Sequence, residues 1–268
     1  FALGGSIYVE SLGATAVPAG SVFIGGIAFN PNGRMYVTTS YPSSSSKIGG
    51  MAVRSDGALH VTTSLGNTLY LPGVSGNYAS TPDSAALDIV GDIDIVAIIQ
   101  PTKFISGQNQ DIVSKWTDGT QESFIFRIDS NGYLTLAWTT DGATNITKTS
   151  TAIVPASDGE QIIVRVTLDV DNGAVGNDVK FYTSLDGSTW TQLGSTVTTA
   201  GVTSIFNSTS LLNIGAYNAG TAFLYKGNIN LVRIYNGIAG TVVFETDLSG
   251  QTAGATSFAE TSSNAATV

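Results

Sequence analysis

The chain has 268 residues but contains no cysteine and one histidine, and each shortage disfavours a class of site. Without cysteine there can be no disulfide bond or thiolate-bound metal, and the redox compartment stays open because extracellular proteins need not use cystine. A Ser-His-Asp triad would depend on His60, and a zinc site would need ligands that are almost all carboxylates. Both kinds of site are therefore poor candidates.

Positive charge is also scarce. The 11 Lys and Arg are scattered among 20 Asp and Glu, which leaves a net charge of −9. Because a nucleic-acid binder needs a basic face that releases counterions from phosphates, we expect no nucleic-acid partner. No apolar run approaches a membrane span, and Phe1–Gly5 shows neither the basic region nor the apolar run of a signal peptide. We expect no membrane insertion, while a secreted precursor with a trimmed leader stays open.

Residues that favour helices are few. Charged residues make up 12% of the chain, and 31 Gly with long Ser/Thr-rich stretches replace the Lys, Glu and Ala that helices prefer. Hydrophobic residues make up 42%, which is enough for a sizeable core. The composition predicts an all-β protein with almost no helix.

The first residues contain a duplication. The segment Gly25–Ser40 returns at 49–64 as GGMAVRSDGALHVTTS. Each copy predicts one β-hairpin, because Asn32-Gly33 and Asp56-Gly57 are two-residue turn signals between apolar, β-branched runs. Hairpins of this size cannot bury a core alone. We therefore predict that residues 1–66 are an attachment module that another surface completes.

The rest of the chain alternates apolar and polar residues over longer strands. Segments 123–128 and 134–138 predict a hairpin with one buried side, and 162–170 has the longest alternation and predicts a core strand. This spacing is typical of a β-sandwich, to which we assign residues 67–248. Residues 249–268 are mostly Ala, Ser, Thr and Gly and predict an extended tail, extended or mobile unless a neighbour holds it.

Five segments carry a resemblance to a known family: Leu71–Asp83, Gly91–Ile95, Val166–Gly173, Lys180–Ser184 and Val232–Gly237. They are similar to laminin G-like (concanavalin A-like) domains of tailed-bacteriophage virion proteins. The resemblance implies a jelly-roll of two antiparallel sheets, used as an appendage on tails, fibres or capsids, often with a glycan-binding role. No catalytic residue is carried over with it.

One acidic turn could supply oxygen ligands for a metal. The sequence Asp169-Val170-Asp171-Asn172-Gly173 places alternate carboxylates beside a turn, as Ca²⁺ sites do. It lacks the glycine and glutamate that an EF-hand loop requires, so a polar turn that closes a strand is the favoured interpretation. Some laminin G-like domains bind Ca²⁺ at a sheet rim, and the resemblance therefore keeps Asp169, Asp171 and Asp178 as candidate ligands. No other cofactor is expected.

Several aromatic residues could stack on a sugar. Trp116 and Tyr217 lie beside loops that contain Asp and Asn, which can accept hydrogen bonds from sugar hydroxyls, so we predict Trp116, Tyr217 and Asn218 as glycan-binding candidates. Trp138 belongs to an alternating apolar face and is expected in the core. Trp190 ends a single turn that resembles an Asp-box, a structural motif, and is expected to cover that turn.

An enzymatic role is disfavoured. Glycoside hydrolysis needs two carboxyl groups across the scissile bond, and none of the five Glu residues lies in the Glu-x-Asp-x-x-Glu strand motif of jelly-roll glycanases. Carboxylates from distant segments could still meet in space, so a glycan hydrolase stays open as a third interpretation.

The preferred interpretation, which rests on the resemblance, is a non-enzymatic structural component of a bacteriophage particle. Residues 1–66 would attach to the capsid or tail, and the jelly-roll would face outward, with a host-surface glycan as a candidate ligand. Fibres and capsid vertices commonly present trimers, so we expect a homotrimer that is assembled in the host cytoplasm and located in the virion. The alternative is a secreted, extracellular bacterial carbohydrate-binding module or adhesin.

Overall fold

A computed structural model of the chain describes residues 67–268 throughout and, before them, six short strands. The chain divides into two compact units, Phe1–Leu65 and Gly66–Val268. This division lies beside residue 66, where the sequence pattern changes.

The first unit contains the two hairpins that the duplication predicts. Its strands are β1 (Val9–Ser11), β2 (Val22–Ile24), β3 (Ile27–Phe29), β4 (Met35–Val37), β5 (Ile48–Val53) and β6 (Leu59–Thr63). Strands β3 and β4 pair antiparallel, as do β5 and β6, and the two copies share one register: Ala28 faces Tyr36, and Ala52 faces His60. Strands β1 and β2 complete a four-stranded sheet with the first hairpin. The Asn-Gly and Asp-Gly turns lie outside the described residues.

The second unit is built from fourteen strands. In chain order they are β7 (Leu69–Pro72), β8 (Ala79–Thr81), β9 (Ile93–Pro101), β10 (Gln110–Thr117), β11 (Gln121–Ile128), β12 (Tyr133–Thr139), β13 (Asn145–Ile153), β14 (Ile162–Asp169), β15 (Gly176–Ser184), β16 (Thr191–Gln192), β17 (Val197–Ala200), β18 (Leu212–Ile214), β19 (Lys226–Asn236) and β20 (Thr241–Asp247).

These strands form two antiparallel sheets. The smaller sheet has the order β13-β12-β11-β10-β18-β8, and the larger sheet has the order β16-β15-β14-β9-β19-β20, with β17 paired to β15 and β7 paired to β19. The two sheets form a jelly-roll sandwich, as the sequence predicts. Strands β14, β9 and β19 are neighbours at the centre of the larger sheet although they are far apart in the chain.

The core lies between the sheets and confirms the predicted buried faces. In the β11–β12 hairpin Phe124 pairs with Trp138 and Phe126 pairs with Leu136, and all four side chains are fully buried. Strand β14 contributes its alternate residues to the same core: Ile162, Val164, Val166 and Leu168. Each such side chain contributes about 1.5–3 kcal/mol through removal of apolar surface from water.

Helix is nearly absent from the described residues, as the composition predicts. It is confined there to two 3₁₀ turns, Ala85–Leu87 and Leu248–Gly250. Within the described part of the chain, no helix has the length and apolar character needed to cross a membrane.

Residues 249–268, for which composition predicts an extended tail unless a neighbour holds it, lie against the sandwich. The segment folds back on itself, with two backbone hydrogen bonds of 3.1 and 2.8 Å between Phe258 and Val268. The Glu260 carboxylate is buried and accepts hydrogen bonds from the backbone N–H groups of Glu245 on β20 (2.9 Å) and of Ser262 (2.7 Å). Glu260 and further hydrogen bonds from Thr261 and Asn264 hold this segment against β20, which composition alone could not indicate.

Candidate functional site

A groove of ≈ 510 Å³ lies on the outer face of the larger sheet. We call it the arginine groove and define it by its polar and aromatic walls (Asp94, Arg165, Trp190, Arg233 and Tyr235) and its apolar floor (Val96, Ile98, Ile163 and Leu231). The outward positions of β9, β14 and β19 supply most of these residues, because alternate residues of a strand face opposite sides of its sheet. The site is therefore built on rigid central strands.

Strand register places the two arginines on either side of one valine. Val96 on β9 is directly opposite Arg165 on β14 and also opposite Arg233 on β19. Since neighbouring strands are about 4.8 Å apart, the two arginine backbones are about 10 Å apart across the floor. The next row of the sheet places Ile163, Ile98 and Leu231 side by side in the same way.

Arg165 is held by a buried carboxylate. Its Nε donates to Asp94 Oδ1 at 2.8 Å and its Nη2 donates to Asp94 Oδ2 at 2.6 Å, while Oδ2 also accepts from the backbone N–H of Ala239 at 3.0 Å. The hydrogen bond with Asp94 raises the pKa of Arg165, against the opposing effect of burial. The guanidinium carbon lies 5.5 Å from the ring centres of both Tyr182 and Trp190. This bidentate pair and two aromatic rings fix the orientation of Arg165.

Arg233 is held in a similar way on the other side of the groove. Its Nε donates to Glu245 Oε2, and its Nη1 donates to the Tyr235 hydroxyl at 3.3 Å. Burial lowers the pKa of Arg233, but the hydrogen bonds to Glu245 and Tyr235 outweigh it, so that the pKa is raised. Glu245 is supported in turn by the C-terminal segment, whose Thr261 hydroxyl donates to Glu245 Oε1 at 2.9 Å.

The turn before Trp190 closes one end of the groove. Asp186 Oδ1 accepts from the backbone N–H groups of Ser188 and Thr189 at 2.8 and 2.7 Å, and these hydrogen bonds lower the pKa of Asp186. Asp186 therefore ties its own turn, as the resemblance to an Asp-box predicts. Trp190, which the sequence predicts to cover that turn, forms a wall of the groove.

No family model matches this chain, and no curated protein matches it. The matching solved structures are jelly-roll domains of the laminin G and concanavalin A-like kind. The CBM40 domain of Ruminococcus gnavus IT-sialidase, bound to α2,3-sialyllactose, is 14% identical, with a TM-score of 0.44 over 60% of this chain and 87% of that chain.

Two further matches have different biological settings. Domains LG4-5 of the mouse laminin α1 chain are 15% identical, with a TM-score of 0.43 over 76% of this chain and 47% of that chain. The SAP-like pentraxin of Limulus polyphemus is 16% identical, with a TM-score of 0.41 over 63% and 76% of the two chains. All these TM-scores lie below 0.5, so these likenesses assign no ligand or activity to the present chain.

The predicted glycan-binding residues lie together, but on the smaller sheet. Trp116 packs against Ile125, Ala137 and Tyr217 on its outer face and is only 3% exposed. The prediction of Trp116 as an exposed stacking surface is therefore corrected: the ring is covered. The Tyr217 hydroxyl and Asn218 Nδ2 both donate to the exposed carboxylate of Asp118, the second at 3.1 Å. Tyr217 and Asn218 remain predicted glycan-binding residues. Their polar groups already form hydrogen bonds within the protein.

Beside this cluster lies a buried acidic group that the sequence does not reveal. Asp111 is fully buried, and the Nε of Arg127 lies 2.9 Å from its Oδ1, yet the geometry is that of an ion pair without a hydrogen bond. The Arg127 guanidinium carbon also lies 4.7 Å from the ring centre of Phe223. Burial raises the pKa of Asp111 to about 7, although Arg127 acts to lower it.

The candidate calcium ligands are used within a polar turn. Asp169 and Asp178 face each other across β14 and β15. Asp178 Oδ1 accepts from Asn172 Nδ2 at 3.0 Å and from the Thr198 hydroxyl at 2.8 Å, and both hydrogen bonds lower its pKa. Among the residues that the structure describes, no three His, Asp or Glu side chains are placed to hold a metal ion together. Asp169, Asp171 and Asp178 therefore do not combine into a site of three carboxylates.

Sequence reasoning missed the arginine groove, although a signal was present. Arg165 and Arg233 occupy outward positions of strongly alternating strands and are followed or preceded on the same face by apolar residues such as Ile163 and Leu231. An outward face that mixes arginine with aliphatic residues is unusual for a fully solvated sheet surface, which is typically polar throughout. That mixture on two strands could have identified the site.

Proposed function

We propose that the second unit is a saccharide-binding domain and that the arginine groove is its binding site. The observation that carries this proposal is the combination, on rigid strands, of an apolar floor, an aromatic wall at Trp190 and two fixed arginines. A sugar ring presents both apolar C–H faces and polar hydroxyls, so it needs a surface that offers stacking and hydrogen bonds together. The groove offers both within one sheet face.

The carboxylates of the groove support binding without catalysis. Asp94 is 1% exposed, and its two carboxylate oxygens already accept hydrogen bonds from Arg165 and Ala239. Asp186 has a lowered pKa and ties its turn. A glycosidase needs a carboxylic acid of raised pKa next to the scissile bond, and the described carboxyl group with a clearly raised pKa is Asp111, on the smaller sheet. The groove therefore favours a non-enzymatic role.

Trp190 allows a direct test of saccharide binding in the groove. The full chain should bind at least one saccharide class on a glycan array, and Trp190→Ala should weaken that binding about tenfold or more, because stacking of this kind contributes on the order of 1–2 kcal/mol. Tyr70→Ala is the matched control, since Tyr70 is a 64% exposed aromatic residue on β7 that does not line the groove. Isothermal titration calorimetry measures both affinities.

Two results would contradict the proposal. One is the absence of binding to every saccharide on the array. The other is an equal loss of affinity in Trp190→Ala and Tyr70→Ala. Thermal unfolding of each variant separates loss of binding from loss of fold.

For the setting of this binding we propose a bacteriophage particle, in which residues 1–66 attach to the capsid or tail and the domain faces outward as part of a homotrimer. The resemblance of five segments of the second unit to virion domains and the duplicated hairpins support this setting. A secreted bacterial carbohydrate-binding module or adhesin is the alternative, supported by the same groove. The presence of the chain in purified particles distinguishes them.

A further inference from the structure

We propose that the arginine groove selects saccharides that carry an anionic group, either a carboxylate or a sulfate. This inference rests on the proposed function and goes further, because it names the chemical class of the ligand. It follows from which hydrogen-bond donors and acceptors of the groove are already used.

The acceptors at the groove are occupied. Three carboxylates contribute to it or support its arginines, namely Asp94, Asp186 and Glu245, and every oxygen of the three accepts at least one hydrogen bond within the protein. Asp94 is buried as well, so it presents almost no surface to a ligand. A ligand whose hydroxyls need strong acceptors would therefore have to compete with bonds that hold the site together.

The donors are only partly used. Arg165 directs its Nε and Nη2 to Asp94, which leaves both N–H groups of Nη1 without a partner among the described residues. Arg233 donates from Nε and Nη1, so the N–H groups of its Nη2 likewise have no partner among the described residues. The Tyr235 hydroxyl accepts from Arg233, and its own hydrogen can point elsewhere. The groove thus offers free N–H donors on two guanidinium groups, each of which is already paired with one carboxylate.

The position of these donors suits one acidic group. Arg165 and Arg233 flank Val96, which is 8% exposed and separates them on the floor. A carboxylate or sulfate above Val96 would have one arginine on each neighbouring strand and aliphatic side chains of the floor beneath it. Hydrogen bonds between ionised partners are about twice as strong as neutral ones, and a poorly hydrated floor strengthens them further.

The net charge of −9 repels an anionic ligand, but this repulsion acts at longer range than the contacts in the groove. At physiological ionic strength charges more than about 8 Å apart in solvent are largely screened, whereas groups in contact are not. The overall charge is therefore expected to slow the approach of an anionic ligand more than it weakens the bound state.

The experiment compares matched anionic and neutral ligands by calorimetry with the full chain. Trigalacturonate is compared with its methyl ester, which keeps the ring and removes the charge, and dextran sulfate is compared with dextran. We expect at least one anionic member to bind about tenfold or more tightly than its neutral partner, as a charged hydrogen bond allows. The pair that shows the preference distinguishes a carboxylate from a sulfate ligand.

Variants test whether the preference for anionic ligands arises at the arginine groove. Arg233→Gln should bring the ratio of anionic to neutral affinity close to one, because the charge-assisted contact distinguishes the two ligands. Lys148→Gln is the control: it removes the same charge from β13 on the smaller sheet. Retention of the fold in both variants is checked by circular dichroism.

The failure of this inference differs from the failure of the proposed function. If neutral saccharides bind in a manner sensitive to Trp190→Ala and neither anionic ligand is preferred, the inference is overturned and the saccharide-binding proposal stands. If the preference survives in Arg233→Gln or disappears in Lys148→Gln, the inference is also overturned. If no saccharide binds at all, both fail together.

Discussion

Two buried aspartates, one on each sheet, face an arginine, and their hydrogen bonds give them different properties. Asp94 accepts three hydrogen bonds, two of them from the Arg165 guanidinium. Asp111 accepts none with its carboxylate, although Arg127 lies beside it. An ionised carboxylate that is buried without hydrogen bonds is costly, whereas one with a full set is not. Asp94 therefore holds an arginine of the groove, while Asp111 is expected to make the stability of the fold depend on pH.

Because of Asp111, we predict that the free energy of unfolding falls as the pH rises toward neutrality. Because burial raises its pKa from 3.8 to about 7, the folded state binds this proton more tightly than the unfolded state does. The free energy of unfolding should therefore decrease between about pH 4 and pH 7, with a slope of at most about 1.4 kcal/mol per pH unit, and then level off. Urea denaturation across this range measures the slope.

The variant Asp111→Asn should remove that slope, because an amide does not titrate. Asp171→Asn, on the exposed turn after β14, should leave it in place. Carboxyl groups of lowered pKa, such as Asp141 and Glu260, add stability as the pH rises to about 5, so the Asp111 slope is read between about pH 5 and pH 7. A slope that persists in Asp111→Asn would assign the titration to another group.

At the scale of elements, the three central strands of the larger sheet do two tasks at once. Their inward residues, for example Ile95 and Val166, are fully buried in the core, and their outward residues form the groove. Since period-2 alternation separates the two faces, a slip of one residue in register would move the arginines into the core. The precision of the site is thus a consequence of the core that holds the strands.

Strand β19 depends on a glycine where it meets both β7 and β9. Gly227 faces Leu71 on one side and Pro101 on the other, and its φ of 142° is a value that other residues rarely adopt. A Cβ at this position would lie 2.7 Å from the Pro101 Cα, closer than real contacts allow. The glycine therefore lets the backbones approach.

Gly227→Ala should accordingly lower the free energy of unfolding by about 2–4 kcal/mol, from overpacking and backbone strain together. Gly201→Ala is the matched control: Gly201 also has a positive φ, 94°, but a Cβ added there would have no neighbouring atom within 4 Å. It should lower the free energy by only about 1–2 kcal/mol. Urea denaturation of both variants compares them, and equal effects would show that backbone strain alone matters.

At the scale of the whole molecule, the chain joins a small duplicated unit to a large sandwich. The first unit has six described strands of three to six residues each, in a four-stranded sheet and a separate hairpin. Strands this short bury little apolar surface without a partner. This is the physical basis for the expectation that residues 1–66 attach to something else.

The proposed bacteriophage setting predicts that the chain assembles into a trimer and into the particle. Purified phage particles should contain the chain in a fixed stoichiometric ratio to a capsid or tail protein, measured by quantitative mass spectrometry. The purified full chain should be a trimer by light scattering, and removal of residues 1–66 should release the chain from the particle. Recovery of the chain only from the soluble fraction of a lysate, or as a stable monomer, would contradict the particle setting and leave the saccharide proposal in place.

Local pattern was enough to predict much of this fold. Alternation in 123–128, 134–138 and 162–170 identified strands and their buried faces, because the side-chain period of a strand is a property of its backbone. The duplicated turns identified two hairpins for the same reason. Composition, by contrast, could not indicate that β20 holds residues 249–268, because the hydrogen bonds of Glu260, Thr261 and Asn264 that do so depend on contacts that composition does not contain.

The sequence by itself determined which residues face inward and which face outward, since that depends on local periodicity. Only the tertiary structure decided which outward residues meet. Arg165 and Arg233 lie on strands far apart in the chain, and the insertion of β9 between them brings both to Val96. Trp116 looked available in the sequence, yet packing under Tyr217 covers it. Strand order and long-range packing are set by the cooperative burial of the whole core, which no short segment encodes.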